Sequence, residues 1–217
     1  MEAGDANLLP SFFLDMISWI ITGGVGCGKS SLTEKLCALI PGTRRFSADE
    51  SVGRILQLPA VHTALIKAFG PKVVVSREGV QEVDRAVLRE IVFQDEKARL
   101  TLEAITHPAV LADLEAERKA SQDAGAELFL AEVPLYYEIG ATVEADLIIV
   151  VAVRRTMQAM RLMERRGLDE AMIERILRSQ WPIEAKVEGA DTVIWNEGDL
   201  TALEAQALTL ARQLRQA

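Results

Sequence analysis

The chain has 217 residues, 49% hydrophobic, 26% charged and 5% aromatic, with two cysteines and a formal charge of 24 − 32 = −8. That length allows one sizeable domain, or a domain with a small insertion. The acidic balance and the scarcity of rings argue against a nucleic-acid reader or a stacking platform. With Cys27 and Cys37 alone a disulfide framework is not needed at this size, the lack of a Cys-x-x-Cys or Cys/His cluster argues against a structural zinc site, and a reducing cytoplasm fits.

Residues 8–21 are rather apolar, but Glu2 and Asp5 precede them, Asp15 interrupts them and no small-residue cleavage site follows. Neither a signal peptide nor a membrane span is read there. Residues 1–15 are expected to be an extension, disordered or upstream of an alternative initiator at Met16, and the domain occupies residues 16–217. Ile17 to Ile21 then reads as a short buried strand, running into a glycine loop at 23–28 and a helix over Ser30 to Leu39. Strand, glycine loop and helix open a mononucleotide-binding unit. A second strand is read at Arg45 to Ala48. Apolar spacings of three and four predict helices over 84–93, 96–105 and 109–124. The stretch 53–125 carries no strong strand signal and reads as a helical insertion beside the sheet. Leu128 to Val133 and Asp146 to Val153 are unbroken apolar runs, as suits parallel strands covered on both faces. Thr192 to Trp195 is a further strand, and Asp199 to Leu214 closes the chain as an amphipathic helix with Leu200, Leu203, Ala207, Leu210 and Leu214 on one side. The fold class expected is α/β, a parallel sheet flanked by helices.

Gly23 to Ser30 fits G-x-x-x-x-G-K-[ST] in full. Glycines let backbone N–H groups turn inward into an anion nest, and the following helix aims its N-terminus at the phosphates. Lys29 would reach the β- and γ-phosphates, and Ser30 would offer a hydroxyl to magnesium. Cys27 within the nest reads as a small spacer; the other reading is a thiol activated by the helix N-terminus. A P-loop names a donor site only. It does not separate a kinase from a GTPase, a motor or a regulator.

The later segments carry a resemblance. Thr22 to Ser30, Ser47-Ala48-Asp49, Gln81 to Phe93, Leu102 to Pro108 and Glu132 to Glu138 follow one another as in the dephospho-CoA kinases. So do Gln158, Arg161 and Arg165, and then Gln180, Lys186, Ala190-Asp191 and Asn196-x-Gly198. The sequence resembles that family over roughly residues 16 to 200. It departs at Ser47, where the family has aspartate, at Arg54, one residue late, at Glu132 for aspartate, and at Tyr136-Tyr137 for Leu-Phe. The resemblance implies the P-loop NTPase fold with a helical substrate-binding region at about 53–125 and a lid at about 154–180. It implies transfer of phosphate from ATP, with Mg2+, to the ribose 3′-hydroxyl of dephospho-CoA, giving CoA and ADP. A cytoplasmic monomer or small homo-oligomer without nucleic-acid or membrane partners is expected.

Several residues then take candidate roles. Gly24, Val25, Gly26, Cys27, Gly28, Lys29, Ser30 and Ser31 form the ATP site. Arg161 and Asn196 join it by resemblance, although Asn196 and Gly198 read equally well as a plain turn. Asp49, after the second strand, is a candidate base for the acceptor hydroxyl, or else a helix N-cap. Glu132, at a strand end, pairs with Ser30 as a magnesium-side carboxylate, or is simply solvated. Arg154, Gln158, Arg161 and Arg165 fall within a stripe of about 60° on one helix, which could clamp phosphoryl oxygens or be a solvated basic face. Arg85, His107, Pro134 and Leu135 join Asp49 on the acceptor side. His107 precedes Pro108, a residue suited to the first turn of a helix, and reads as a structural or substrate-binding residue ahead of a general base. The catalytic set is Lys29, Asp49 and Arg161. A nucleoside monophosphate kinase is the competing enzyme, and a slow or inactive ATP-binding regulator the competing class.

Overall fold

The computed structural model describes residues 16–77 and 79–215, so the expectations for residues 1–15 lie outside the described residues. In chain order the elements are β1 (Ile17–Gly23), α1 (Lys29–Leu39), β2 (Arg44–Ser47), α2 (Ala48–Ile55), α3 (Pro59–Phe69), a 3-10 turn at Pro71–Val73, β3 (Val74–Arg77) and β4 (Val80–Val83). They continue with α4 (Arg85–Gln94), α5 (Glu96–Asp123), β5 (Leu128–Glu132), β6 (Leu147–Ala152), α6 (Arg155–Arg166), α7 (Glu170–Arg178), α8 (Ile183–Glu188), β7 (Thr192–Trp195) and α9 (Leu200–Leu214). Five strands form one parallel sheet in the order β2-β5-β1-β6-β7.

The apolar strands are buried on both faces because helices cover both. Side chains alternate along a strand. Accordingly Ile21, Leu128, Leu130, Ile149 and Val151 pack with Leu32, Leu36, Leu203 and Leu210 on one side of the sheet. On the other, Ile20, Phe46, Phe129 and Ala131 meet Leu65, Val110 and Leu114. Leu200, expected on the apolar side of the closing helix, is 70% exposed at its first turn, while Leu203, Ala207 and Leu210 are buried.

Two expectations for the segment 53–125 need correction. It contains an antiparallel hairpin, β3 with β4, in which Val74 faces Val83 and Gly79 turns the chain at a φ of 84°. Each strand has only four residues, too short for its alternation to register against the helical background. The helices read at 96–105 and 109–124 are one helix, with Pro108 inside it. Pro108 therefore does not start a helix. It removes the N–H that would bond the Ala104 carbonyl, a loss of about 3 kcal/mol in a helix interior. Ala104 is exposed, so water can serve that carbonyl, and burial of Val110 and Leu114 continues the helix past the break.

Candidate active site

Parallel strands end together, and β1, β2 and β5 bring Ile21, Ser47 and Glu132 into register at the same end of the sheet. The glycine loop leaves β1 there. Gly26 and Gly28 take φ values of 74° and 93°, a left-handed turn that side chains disfavour. The carbonyls of Val25, Gly26 and Cys27 are each taken up by a side-chain donor. Gln158 Nε2 donates to Val25 O at 2.9 Å, Arg161 Nη1 to Gly26 O at 3.1 Å, and Asn196 Nδ2 to Cys27 O at 2.8 Å. With these carbonyls satisfied, the first-turn N–H groups of α1, which have no intrahelical acceptor, are left for an anion.

Lys29 is buried, and its ammonium donates to the carbonyls of Gly23 at 3.2 Å and Gly24 at 3.0 Å. Burial pulls its pKa below the ordinary lysine value, opposed by the charges of Glu132 and Asp49. Glu132 is only 6% exposed, so it is not a solvated strand end. It accepts the Ser30 hydroxyl at 2.8 Å and the Thr33 hydroxyl at 3.3 Å. Among the described residues no cluster of three or more His, Cys, Asp or Glu could hold a metal by itself. Two neighbouring hard oxygen donors do fit magnesium, which commonly completes its shell with water and substrate phosphates.

Asp49 is exposed and lines the same cleft as Lys29, Ser30 and Glu132, a space of about 430 Å³. It does not cap α2. Ser47 does, its hydroxyl accepting the Glu50 N–H at 3.3 Å. Serine is among the residue types that perform this capping function well. Pro134, Leu135, Ser31, Arg161, Arg165 and Arg166 complete much of the wall. Leu135 and Gln180 also line a second cavity of about 250 Å³, which holds His107, Arg99, Glu138 and Trp181. Burial lowers the His107 pKa.

The structure divides the remaining candidates. Arg161 bridges the loop carbonyls and Asn196 O, the latter at 2.7 Å, while still facing the cleft. Asn196 sits behind the loop, and a Cβ on Gly28 would meet its Nδ2 at 2.3 Å. Gly24 is similarly pressed against Gln158. Cys27 is fully buried and its thiol is pushed up by burial, the opposite of activation; the spacer reading holds. Arg154 precedes α6 and pairs with Glu197 at 2.9 Å, so it leaves the stripe. Arg85 Nη2 reaches Gly53 O at 3.4 Å and lines neither cavity.

Sequence reasoning assigned no role to Arg166, Trp181 or the wholly buried Lys186, which pairs with Glu138 at 2.6 Å. Only tertiary packing brings these together; Gln180 and Lys186 carried a signal solely as parts of a family pattern.

A family model described as dephospho-CoA kinase matches residues 18–202. A curated dephospho-CoA kinase of Syntrophotalea carbinolica is 38% identical, covering 89% of this chain and 90% of its own. A solved structure, TT1252 from Thermus thermophilus, is 31% identical with a TM-score of 0.73, covering 91% of this chain and 97% of that one. A dephospho-CoA kinase structure from Campylobacter jejuni is 27% identical, with a TM-score of 0.60 over 91% of this chain and 96% of its own.

Proposed function

The chain belongs to the dephospho-CoA kinase family, and on that premise we propose that it transfers the γ-phosphoryl group of ATP to the ribose 3′-hydroxyl of dephospho-CoA. The observation that carries this reading is a pair of cavities with a shared wall. One holds the phosphate loop, Glu132 and Asp49; the other has Leu135 and Gln180 in common with it. A donor in the first and a long acceptor reaching from the second would approach each other across that wall.

The roles follow from position and charge. The loop amides and α1 receive the triphosphate, and Lys29 exchanges its carbonyl partners for phosphate oxygens. Ser30 and Glu132 would hold magnesium, which supplies charge neutralisation across the phosphate oxygens. Asp49 takes the proton from the attacking hydroxyl. Arg161, Arg165 and Arg166 face the space where charge accumulates; among the described residues the last two have no ion-pair partner. The segment 53–125, with His107, Pro134 and Leu135 at the cavity walls and Arg85 outside both cavities, bonded to Gly53 O, serves the acceptor, and residues 154–180 act as the lid over the donor. A cytoplasmic enzyme using small-molecule substrates, as a monomer or small homo-oligomer, suits this chemistry. Among the described residues no helix is long and apolar enough to cross a membrane.

ADP release from Mg-ATP, compared with dephospho-CoA, with AMP, CMP or UMP, and with no acceptor, tests the reading. Turnover that depends on dephospho-CoA is expected. Turnover only with a nucleoside monophosphate, or without any acceptor, would replace it with the competing kinase or the regulator.

A further inference from the structure

Val25 is the loop residue most completely engaged from outside the loop. Its N–H donates to Gln180 Oε1 at 3.0 Å, and its carbonyl accepts Gln158 Nε2 at 2.9 Å. Its side chain packs on the small apolar cluster of Leu162, Ile173 and Leu177, which joins α6 to α7. N–H, carbonyl and side chain are therefore all held by residues 155–180. The flanking residues Gly24 and Gly26 have no side chains to hold this corner, and Gly26 has a positive φ. Inside the loop, the Cys27 N–H at 3.3 Å and the Lys29 ammonium at 3.0 Å both hold the Gly24 carbonyl at the base of this corner, while Val25 at its tip is held by the outside partners. Gln180 has a second relation: it lines both cavities.

We propose that Val25, Gln158 and Gln180 form a joint through which the seated lid positions the phosphate loop, with Gln180 as the positioning residue at the boundary between donor and acceptor. The proposal rests on the kinase reading above. The joint keeps the γ-phosphate facing the acceptor space and closed to water. When it is opened, a water oxygen bonds to the γ-phosphorus, the bond from that phosphorus to the bridging oxygen breaks, ADP leaves, and the proton goes to solvent as inorganic phosphate forms. Gln180 touches the loop and not the reacting atoms, so its loss affects which nucleophile is admitted more than ATP binding.

Gln180→Ala tests this through the ratio of ADP released to acceptor phosphorylated. The wild type should give a ratio near one. The variant should give at least about twice that, with product kcat down about tenfold and the KM for ATP within about threefold. Val25→Ala, which shortens the plug without removing a hydrogen bond, should raise the ratio less. If Gln158 and Gln180 hold one residue, Gln158→Ala/Gln180→Ala should be little worse than the worse single variant. Hydrogen exchange at the Val25 amide, protected in the wild type and at least about tenfold faster in Gln180→Ala, reads the joint without any acceptor. An unchanged ratio, multiplied effects in the double variant, a collapse of ATP binding along with turnover, or unchanged exchange at Val25 would each overturn the proposal. A wild type that ignores dephospho-CoA would sink the acceptor assignment instead, and exchange would still judge the joint.

Discussion

The phosphate loop and the helical segment from α2 to α5 are built on opposite principles. The loop is eight consecutive residues whose shape comes from glycine, but it is held by side chains more than a hundred residues away: Gln158, Arg161, Gln180 and Asn196. The helical segment is spread over some seventy residues, yet it is stitched mainly to itself. Asp113 on α5 accepts hydrogen bonds from Ser51 and Arg54 on α2, and Arg85 reaches Gly53. A short motif can thus depend on distant support. The segment from α2 to α5, the proposed acceptor side, is a tertiary surface with local support, and its chemistry cannot be read from any one stretch.

Lys29→Ala should break the donor side most severely. Removing the ammonium leaves phosphate charge unpaired, so ADP formation should fall by about 10³-fold or more, whatever acceptor is offered. Retained turnover within about tenfold would show that the loop is not the donor site. Asp49→Asn comes next and should separate the two sides. Its kcat should drop about 10²-fold or more while the Kd for ATP, measured by titration, stays nearly constant. A near-normal kcat would remove Asp49 as the base.

Asp113→Asn should perturb only the segment from α2 to α5, the proposed acceptor side. Burial pushes the Asp113 carboxyl up, but hydrogen bonds from Ser51 and Arg54 outweigh it and hold the pKa below the ordinary value. Its stabilisation is therefore present above the unfolded-state pKa and is lost as pH falls through the lower folded value. The Asn variant should lose about 1 kcal/mol or less, because Arg54 is 55% exposed. It should flatten the acid limb of a urea-midpoint profile and raise the acceptor KM a few-fold with the ATP KM unchanged. An equal shift in both KM values would mean the two sides are not separable.

The smallest effect belongs to Tyr137, whose ring stacks on Trp181 at 6.0 Å beside the second cavity. Its hydroxyl is buried with no hydrogen-bond partner among the described residues, and burial raises its pKa to about 12. Tyr137→Phe keeps the stack and removes an unpaired group, so the thermal midpoint should hold or rise slightly, by up to about 1 kcal/mol of stability. A loss larger than that would reveal a partner for the hydroxyl.

The same contrast explains what could be read from sequence. β1, β5 and β6, the loop and α1 were legible because unbroken apolar runs and a glycine pattern are local signals, while the four-residue β2 and β7 were placed from a few residues each, without such a run. The closing helix was legible too, apart from Leu200. The β3–β4 hairpin was not legible, since four-residue strands leave no period to detect. Pro108 misled because local propensity says helix start, while the packing of Val110 and Leu114 carries α5 through it. Within the site, Lys29, Ser30, Glu132 and Asp49 stood out by motif or strand-end position. The grip of Gln180 on Val25 did not, because the bond spans 155 residues and no spacing announces it.

The most direct measurement is the fate of the γ-phosphoryl group. With γ-labelled ATP, magnesium and dephospho-CoA, the label should appear in CoA, on the ribose 3′ position by mass fragmentation, in step with ADP. Label that appears only as inorganic phosphate, at the same rate with or without dephospho-CoA, would contradict the account.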